Sequence, residues 1–233
     1  MNIPQWLHAA IDVLMPRTCS VCGKPLDADE PYVCRRCMEQ LPLTHFEDIP
    51  FNAMEQLFAG KVPIERAAGL FYYEKGSPYA SIIHDAKYRN MPRLGEWMAT
   101  RAVAQMRPSG FFQGIDVVVP VPLHRDKQAR RGYNQSEYIA RGIGQSLNIE
   151  VSLAVEASRR HSTQTRKSAT ERWLNTRGMY VPAPCAAQLA NRHVLLVDDV
   201  VTTGSTLEAC AEALRQVPSI TISLFTLAVA RLV

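Results

Sequence analysis

Apolar residues recur along this chain in two rhythms, consecutive runs and stripes spaced three and four apart. The consecutive runs are residues 67–73, the segment IDVVVPVP at 115–122, residues 194–197 and the late segment ITISLFTLAVA, with NIEVSL a shorter candidate. Runs apolar on successive positions read as strands covered on both faces, as in a parallel sheet. Between them lie helical stripes. Ser77-Pro78 opens one through Ile82, Ile83 and Ala86, and Pro92 opens another with Leu94, Trp97, Met98 and Ala102. Residues 134–147 follow an Asn134-x-x-Glu137 capping box, and a last stripe carries Leu207, Cys210, Ala211 and Leu214, ending near Val217. Strands alternating with helices predict an α/β fold, a mostly parallel sheet flanked by helices.

The first 60 residues break this rhythm, so the chain divides into 1–60 and 61–233. Ile3, Trp6, Leu7, Ala10, Ile11 and Leu14 form an amphipathic stripe, expected to dock on its own protein. Behind it, Cys19-x-x-Cys22 and Cys34-x-x-Cys37 have the spacing that wraps one tetrahedral zinc, predicting a structural zinc ribbon with four cysteine ligands. Cys185 and Cys210 stand apart and read as ordinary buried thiols. No apolar stretch approaches the roughly 20 residues of a membrane span. The N-terminus lacks a basic leader, so a cytoplasmic protein is expected.

Charge changes the picture further. Residues 124–177 carry 11 basic against 5 acidic groups, whereas residues 1–60 carry 4 against 8. The positive charge falls in two polar loops, PLHRDKQARRGYNQS and residues 157–178, and in the helix between them. Such a concentration suits a multiply charged anion or a nucleic-acid backbone.

The densest chemistry lies in HVLLVDDVVTTGSTLEAC, residues 193–210. The pattern reads as strand, tight loop, helix, with Asp198 and Asp199 leaving the strand. A helix start offers unpaired N–H groups and partial positive charge, Gly204 permits close backbone approach, and the hydroxyls add donors. That is a cradle for a phosphate. Two carboxylates beside it would repel the phosphate, so they are expected to face a polyol or a metal ion; the plainer alternative makes them strand-end and helix-cap residues. Acids turned inward into salt bridges beside a plugged loop would contradict the cradle.

VLLVDDVVTTGST resembles the phosphoribosyl-diphosphate (PRPP) signature of type I phosphoribosyltransferases, and the whole chain resembles the ComF (GntX-like) family of bacterial competence proteins. The resemblance implies that Asp198 and Asp199 bind the ribose hydroxyls and that Thr202, Thr203, Gly204, Ser205 and Thr206 bind the 5-phosphate. It makes the first polar loop a pyrophosphate loop, with Leu123, His124 and Arg125 near its base and Arg131 in RGYNQ. The second becomes the flexible loop that closes over substrate, with Gln164, Arg166 and Lys167 as contacts. His84, Lys87 and Tyr88 match a further family segment, Lys87 being a candidate diphosphate contact. Magnesium would accompany the diphosphate, and Asp198, Asp199 and Arg131 would carry any transfer.

Two functions stay open. One is a phosphoribosyltransferase whose acceptor the sequence does not specify, since little chain follows the loop to read a base. The other is a non-catalytic PRPP sensor or DNA-binding protein on the same fold, because ComF resemblance implies handling of incoming single-stranded DNA alongside other competence-machinery proteins. Arg130 with Tyr133, and Arg172 with Trp173, supply the basic and aromatic ingredients of single-strand binding.

Overall fold

A computed structural model describes residues 17–158 and 179–231. The N-terminal stripe therefore lies outside the described residues, as do Gln164, Arg166, Lys167, Arg172, Trp173 and the side chain of Arg125.

Five strands form one parallel sheet: β1 (Ala67–Tyr73), β2 (Val117–Pro120), β3 (Glu150–Val151), β6 (His193–Val201) and β7 (Thr221–Ala230), in the order β1-β7-β6-β2-β3. Two short strands, β4 (Val155–Ala157) and β5 (Tyr180–Pro182), pair antiparallel beside it. The expected strands are present, and NIEVSL contributes only two residues to the sheet. The last strand pair departs most from expectation. β6 does not stop at Val197 but continues through both acids to Val201, because β7 is long enough to keep pairing with it at Asp198↔Thr226 and Val201↔Val229. The two carboxylates thus sit within a strand, and alternation sends them to opposite sides of it.

The helices are α1 (Arg35–Glu39), α2 (Ala53–Gln56), α3 (Ala80–Tyr88), α4 (Pro92–Met106), α5 (Arg125–Arg131), α6 (Gln135–Leu147) and α7 (Ser205–Leu214). From β2 the chain crosses by α6 to β3 in one direction; from β6 it crosses by α7 to β7 in the other. Right-handed crossovers running in opposite directions place α6 and α7 on opposite faces and open a crevice between β2 and β6 at their carboxyl ends. α4 and α6 meet closely on one face, where a side chain at Gly142 would run into the Glu96 carbonyl oxygen.

Residues before β1 are tied to the sheet. Tyr72 N–H donates to Pro42 O at 2.8 Å and Thr44 N–H to Leu70 O at 3.1 Å, covering the otherwise open β1 edge. Buried Asn52 caps α2 by accepting from the Met54 and Glu55 N–H groups, and its amide donates to Ala67 O at 2.9 Å. Tyr32 sits edge-on to Trp97 of α4, ring centroids 5.9 Å apart.

Candidate sugar-phosphate site at the carboxyl ends of β2 and β6

The loop after β6 is built as a cradle. Gly204 is the N-terminal cap residue of α7 with φ +77°, a left-handed conformation that glycine adopts without strain. A Cβ there would lie 3.1 Å from the Phe58 ring, so the connector after α2 backs the loop from behind. No side chain caps α7, so neither acid serves as a helix cap. Thr202, Thr203, Gly204, Ser205, Thr206 and Asp198 together line a shallow cavity of about 30 Å³, and the Thr203 and Ser205 hydroxyls meet at 3.0 Å. Larger clefts lie elsewhere among the described residues, about 630 Å³ over residues 50–66 and about 520 Å³ between the cysteine module and α4. Chemistry rather than size therefore marks the site.

The two acids have different surroundings. Asp198 accepts from the Ser136 hydroxyl at 2.9 Å and from the Asp199 N–H at 2.8 Å. Burial first, and the charge of Asp199 second, push its carboxyl up to about 7, against the lowering effect of the Asp199 N–H, Lys87 and Ser136. Asp199 turns inward. It is buried, its Oδ1 lies 2.9 Å from Lys87 Nζ at the end of α3, and its Oδ2 has no hydrogen-bond partner among the described residues. One half of the contradicting arrangement, an acid turned into a salt bridge, is thus present, while Asp198 still lines the loop cavity.

Lys87 is anchored through its neighbours. Tyr133 donates its hydroxyl hydrogen to Ala86 O at 2.8 Å. Arg131 reaches the Tyr88 hydroxyl at 3.1 Å and Gln135 at 2.8 Å, its guanidinium 4.9 Å from the Tyr88 ring centre. The turn between α5 and α6 therefore holds both Arg131 and the last turn of α3. Beside it, Val121 N–H donates to Val197 O at 2.9 Å, which sets residues 121–124 against the acid-bearing part of β6. Leu123 is half-buried there, and His124 is the exposed cap residue of α5. Arg130 is exposed at the end of α5, whereas Tyr133 is partly buried and packs edge-on against Tyr138. Asn134 caps α6, but onto the Ser136 N–H at 3.1 Å; Glu137 leans toward Arg141 at 3.6 Å, so the reciprocal half of the expected capping box is replaced.

Ser136 is the residue that sequence reasoning missed. The cap at Asn134 placed it in the first turn of α6, but its bond to Asp198 spans 62 residues and leaves no local signal.

The four N-terminal cysteines converge as the spacing requires. Their sulfurs all lie within 4.8 Å of one another, and Cys22 and Cys34 are 3.8 Å apart. A tetrahedron with zinc–sulfur bonds of about 2.3 Å has edges of about 3.8 Å, so the donor set fits zinc. Burial opposes ionisation of Cys19, yet the N–H groups of Cys22, Cys34 and Val21 bring its thiol down to about 7. All six cysteines are free of disulfides. Cys210 is fully buried as expected, and Cys185 is half-buried.

A parallel sheet whose crossovers reverse direction beside a strand–loop–helix turn with a positive-φ glycine fits a phosphoribosyltransferase-type domain, and residues 99–231 match the family described as phosphoribosyl transferase domain. Among characterised proteins, the DNA utilization protein YhgH of Shigella flexneri is 27% identical over 213 residues, 90% of this chain and 88% of that one. Competence protein F of Haemophilus influenzae is 34% identical over 143 residues, 60% of this chain and 62% of its own length. Competence protein ComFC of Bacillus subtilis is 27% identical over 117 residues, 48% of this chain and 43% of its own. This chain is a ComF-family protein with a phosphoribosyltransferase domain. A solved glutamine PRPP amidotransferase from B. subtilis, complexed with ADP and GMP, aligns over 58% of this chain and 26% of its own, with 20% identity and a TM-score of 0.37. Among the described residues, no helix is long and apolar enough to cross a membrane.

Proposed function

We propose that this protein binds phosphoribosyl diphosphate, with magnesium, in the crevice between β2 and β6, and that it serves natural competence in handling incoming single-stranded DNA. The observation that carries the ligand reading is the shared cavity of Asp198 and the Thr202–Thr206 loop, with its positive-φ glycine at the start of α7. The loop amides and hydroxyls would take the 5-phosphate, and the carboxylates would accept from the sugar hydroxyls. Residues 121–125 and Arg131 flank the side where the diphosphate would extend, and Arg131 would exchange its Gln135 and Tyr88 partners for diphosphate oxygens.

Lys87 pairs with Asp199 alone, while the neighbouring Asp198 is met by a hydroxyl and a backbone N–H, so a cation arriving with the diphosphate suits the charge balance. When bound, magnesium would neutralise diphosphate charge and ease its departure in any transfer step. The competence role is supported by the relatives named competence protein F and ComFC, and a cytoplasmic site of action would accord with it.

Calorimetry with phosphoribosyl diphosphate, with and without magnesium, tests the ligand reading on wild type and Asp198→Asn. Saturable, magnesium-dependent heat that the variant loses is expected; a wild type giving neither heat nor saturation removes the assignment. A second reading, direct binding of single-stranded DNA on this face, is favoured by Tyr88, which is 63% exposed beneath the Arg131 guanidinium. Its affinity would fall steeply with added salt.

A further inference from the structure

We propose that Lys87 is a positioning residue for Asp199: it grips one carboxylate oxygen from the last turn of α3 so that the other is presented to a sugar hydroxyl. This assignment rests on the sugar-phosphate reading above. It divides the work of the acid pair, and it gives Lys87 a role other than direct contact with the diphosphate.

Adjacent carboxylates on a strand are served here from two different helices. α6 provides Ser136 to Asp198, and α3 provides Lys87 to Asp199. Asp198 is thereby satisfied through its Oδ1 by a hydroxyl and a backbone N–H. Asp199 is half satisfied: Oδ1 has the ammonium at 2.9 Å, while Oδ2 is buried with no partner among the described residues. A buried acceptor left without a donor is costly in isolation, and such groups in native proteins call for a missing partner. A ligand hydroxyl is a donor of the right kind.

The grip is itself held in place. The Lys87 side chain is 18% exposed, so its ammonium is not a freely hydrated surface charge. Ala86 and Tyr88, its neighbours in the chain, are bonded to Tyr133 and Arg131 in the turn between α5 and α6. Arg89, one residue further on, pairs with buried Asp85 at 3.3 Å. The lysine thus extends from a backbone fixed on both sides of it, which keeps Asp199 oriented before a ligand arrives. Removing the ammonium would leave a buried carboxylate without its charged partner and free to rotate away from the ligand.

Binding of ribose 5-phosphate, phosphoribosyl diphosphate and inorganic pyrophosphate to wild type, Lys87→Met and Lys87→Arg separates the possibilities. If Lys87 acts through Asp199, Lys87→Met weakens both sugar ligands by a similar factor of about 10- to 100-fold, the scale of a hydrogen bond to a charged group. Pyrophosphate binding then stays unchanged and Lys87→Arg recovers part of the sugar affinity. Asp199→Asn combined with Lys87→Met removes both charges, leaves no unpaired buried ion, and should bind no more weakly than the worse single variant. Loss confined to the two diphosphate ligands, with ribose 5-phosphate unaffected, overturns the assignment and makes Lys87 a diphosphate contact. Wild type that takes up none of the three overturns the sugar-phosphate reading, and this assignment with it.

Discussion

Replacing Gly204 by alanine tests the cradle at its most constrained point. At a position whose backbone suits alanine, the exchange gains about 0.4–1 kcal/mol by restricting the unfolded chain. Here the sign should reverse for two reasons. The residue has φ +77°, which costs a side-chain-bearing residue about 1–2 kcal/mol. The new Cβ would also stand 3.1 Å from two atoms of the Phe58 ring, a buried ring that must turn away from its rotamer at about 0.5–1.5 kcal/mol. Together these predict a loss of about 1.5–3.5 kcal/mol, or about 3–14 °C in Tm for a chain of this size. Calorimetric unfolding of the zinc-loaded protein reads it. In a Phe58→Leu background the ring contribution should vanish, so the cost of Gly204→Ala should drop to the backbone part, about 1–2 kcal/mol. An unchanged or raised Tm for the single variant, or an equal cost in both backgrounds, would refute the reasoning.

Two further outcomes follow from the acids and the cysteines. The Asp198 carboxyl is raised from 3.8 to about 7 by burial and by Asp199. Between those limits the unfolded chain has released a proton that the folded protein keeps, so the contribution of Asp198 to stability is full below pH 4 and is lost as pH rises through 7. Asp198→Asn should therefore gain Tm relative to wild type between pH 5 and pH 8; a difference independent of pH contradicts the assignment. For the cysteine module, metal analysis should find one zinc per chain, and chelation should raise amide exchange over residues 17–41 before the sheet opens. It should also change the near-ultraviolet signal of Trp97, which packs on Tyr32. No bound zinc, or unaltered exchange after chelation, counts against a structural metal.

Much of this protein was legible along the chain because the information is local. Consecutive apolar runs identified β1, β2 and β7, stripes identified α4 and α6, and Cys-x-x-Cys pairs announced a cluster of four sulfurs that converge. The strand–loop–helix turn at Gly204 was legible through residue types alone, since a tight turn into a helix start needs only glycine and small hydroxylated residues nearby. The sequence could not divide Asp198 from Asp199. That division depends on β7 being long enough to hold β6 in strand geometry through both acids, and on two helices, α3 and α6, delivering Lys87 and Ser136 from distant parts of the chain. Strand alternation and long-range packing thus turned two identical side chains into different chemical groups. Only tertiary contacts fix which carboxylate is paired with an ammonium, which carboxyl burial raises toward 7 and which oxygen has no partner among the described residues.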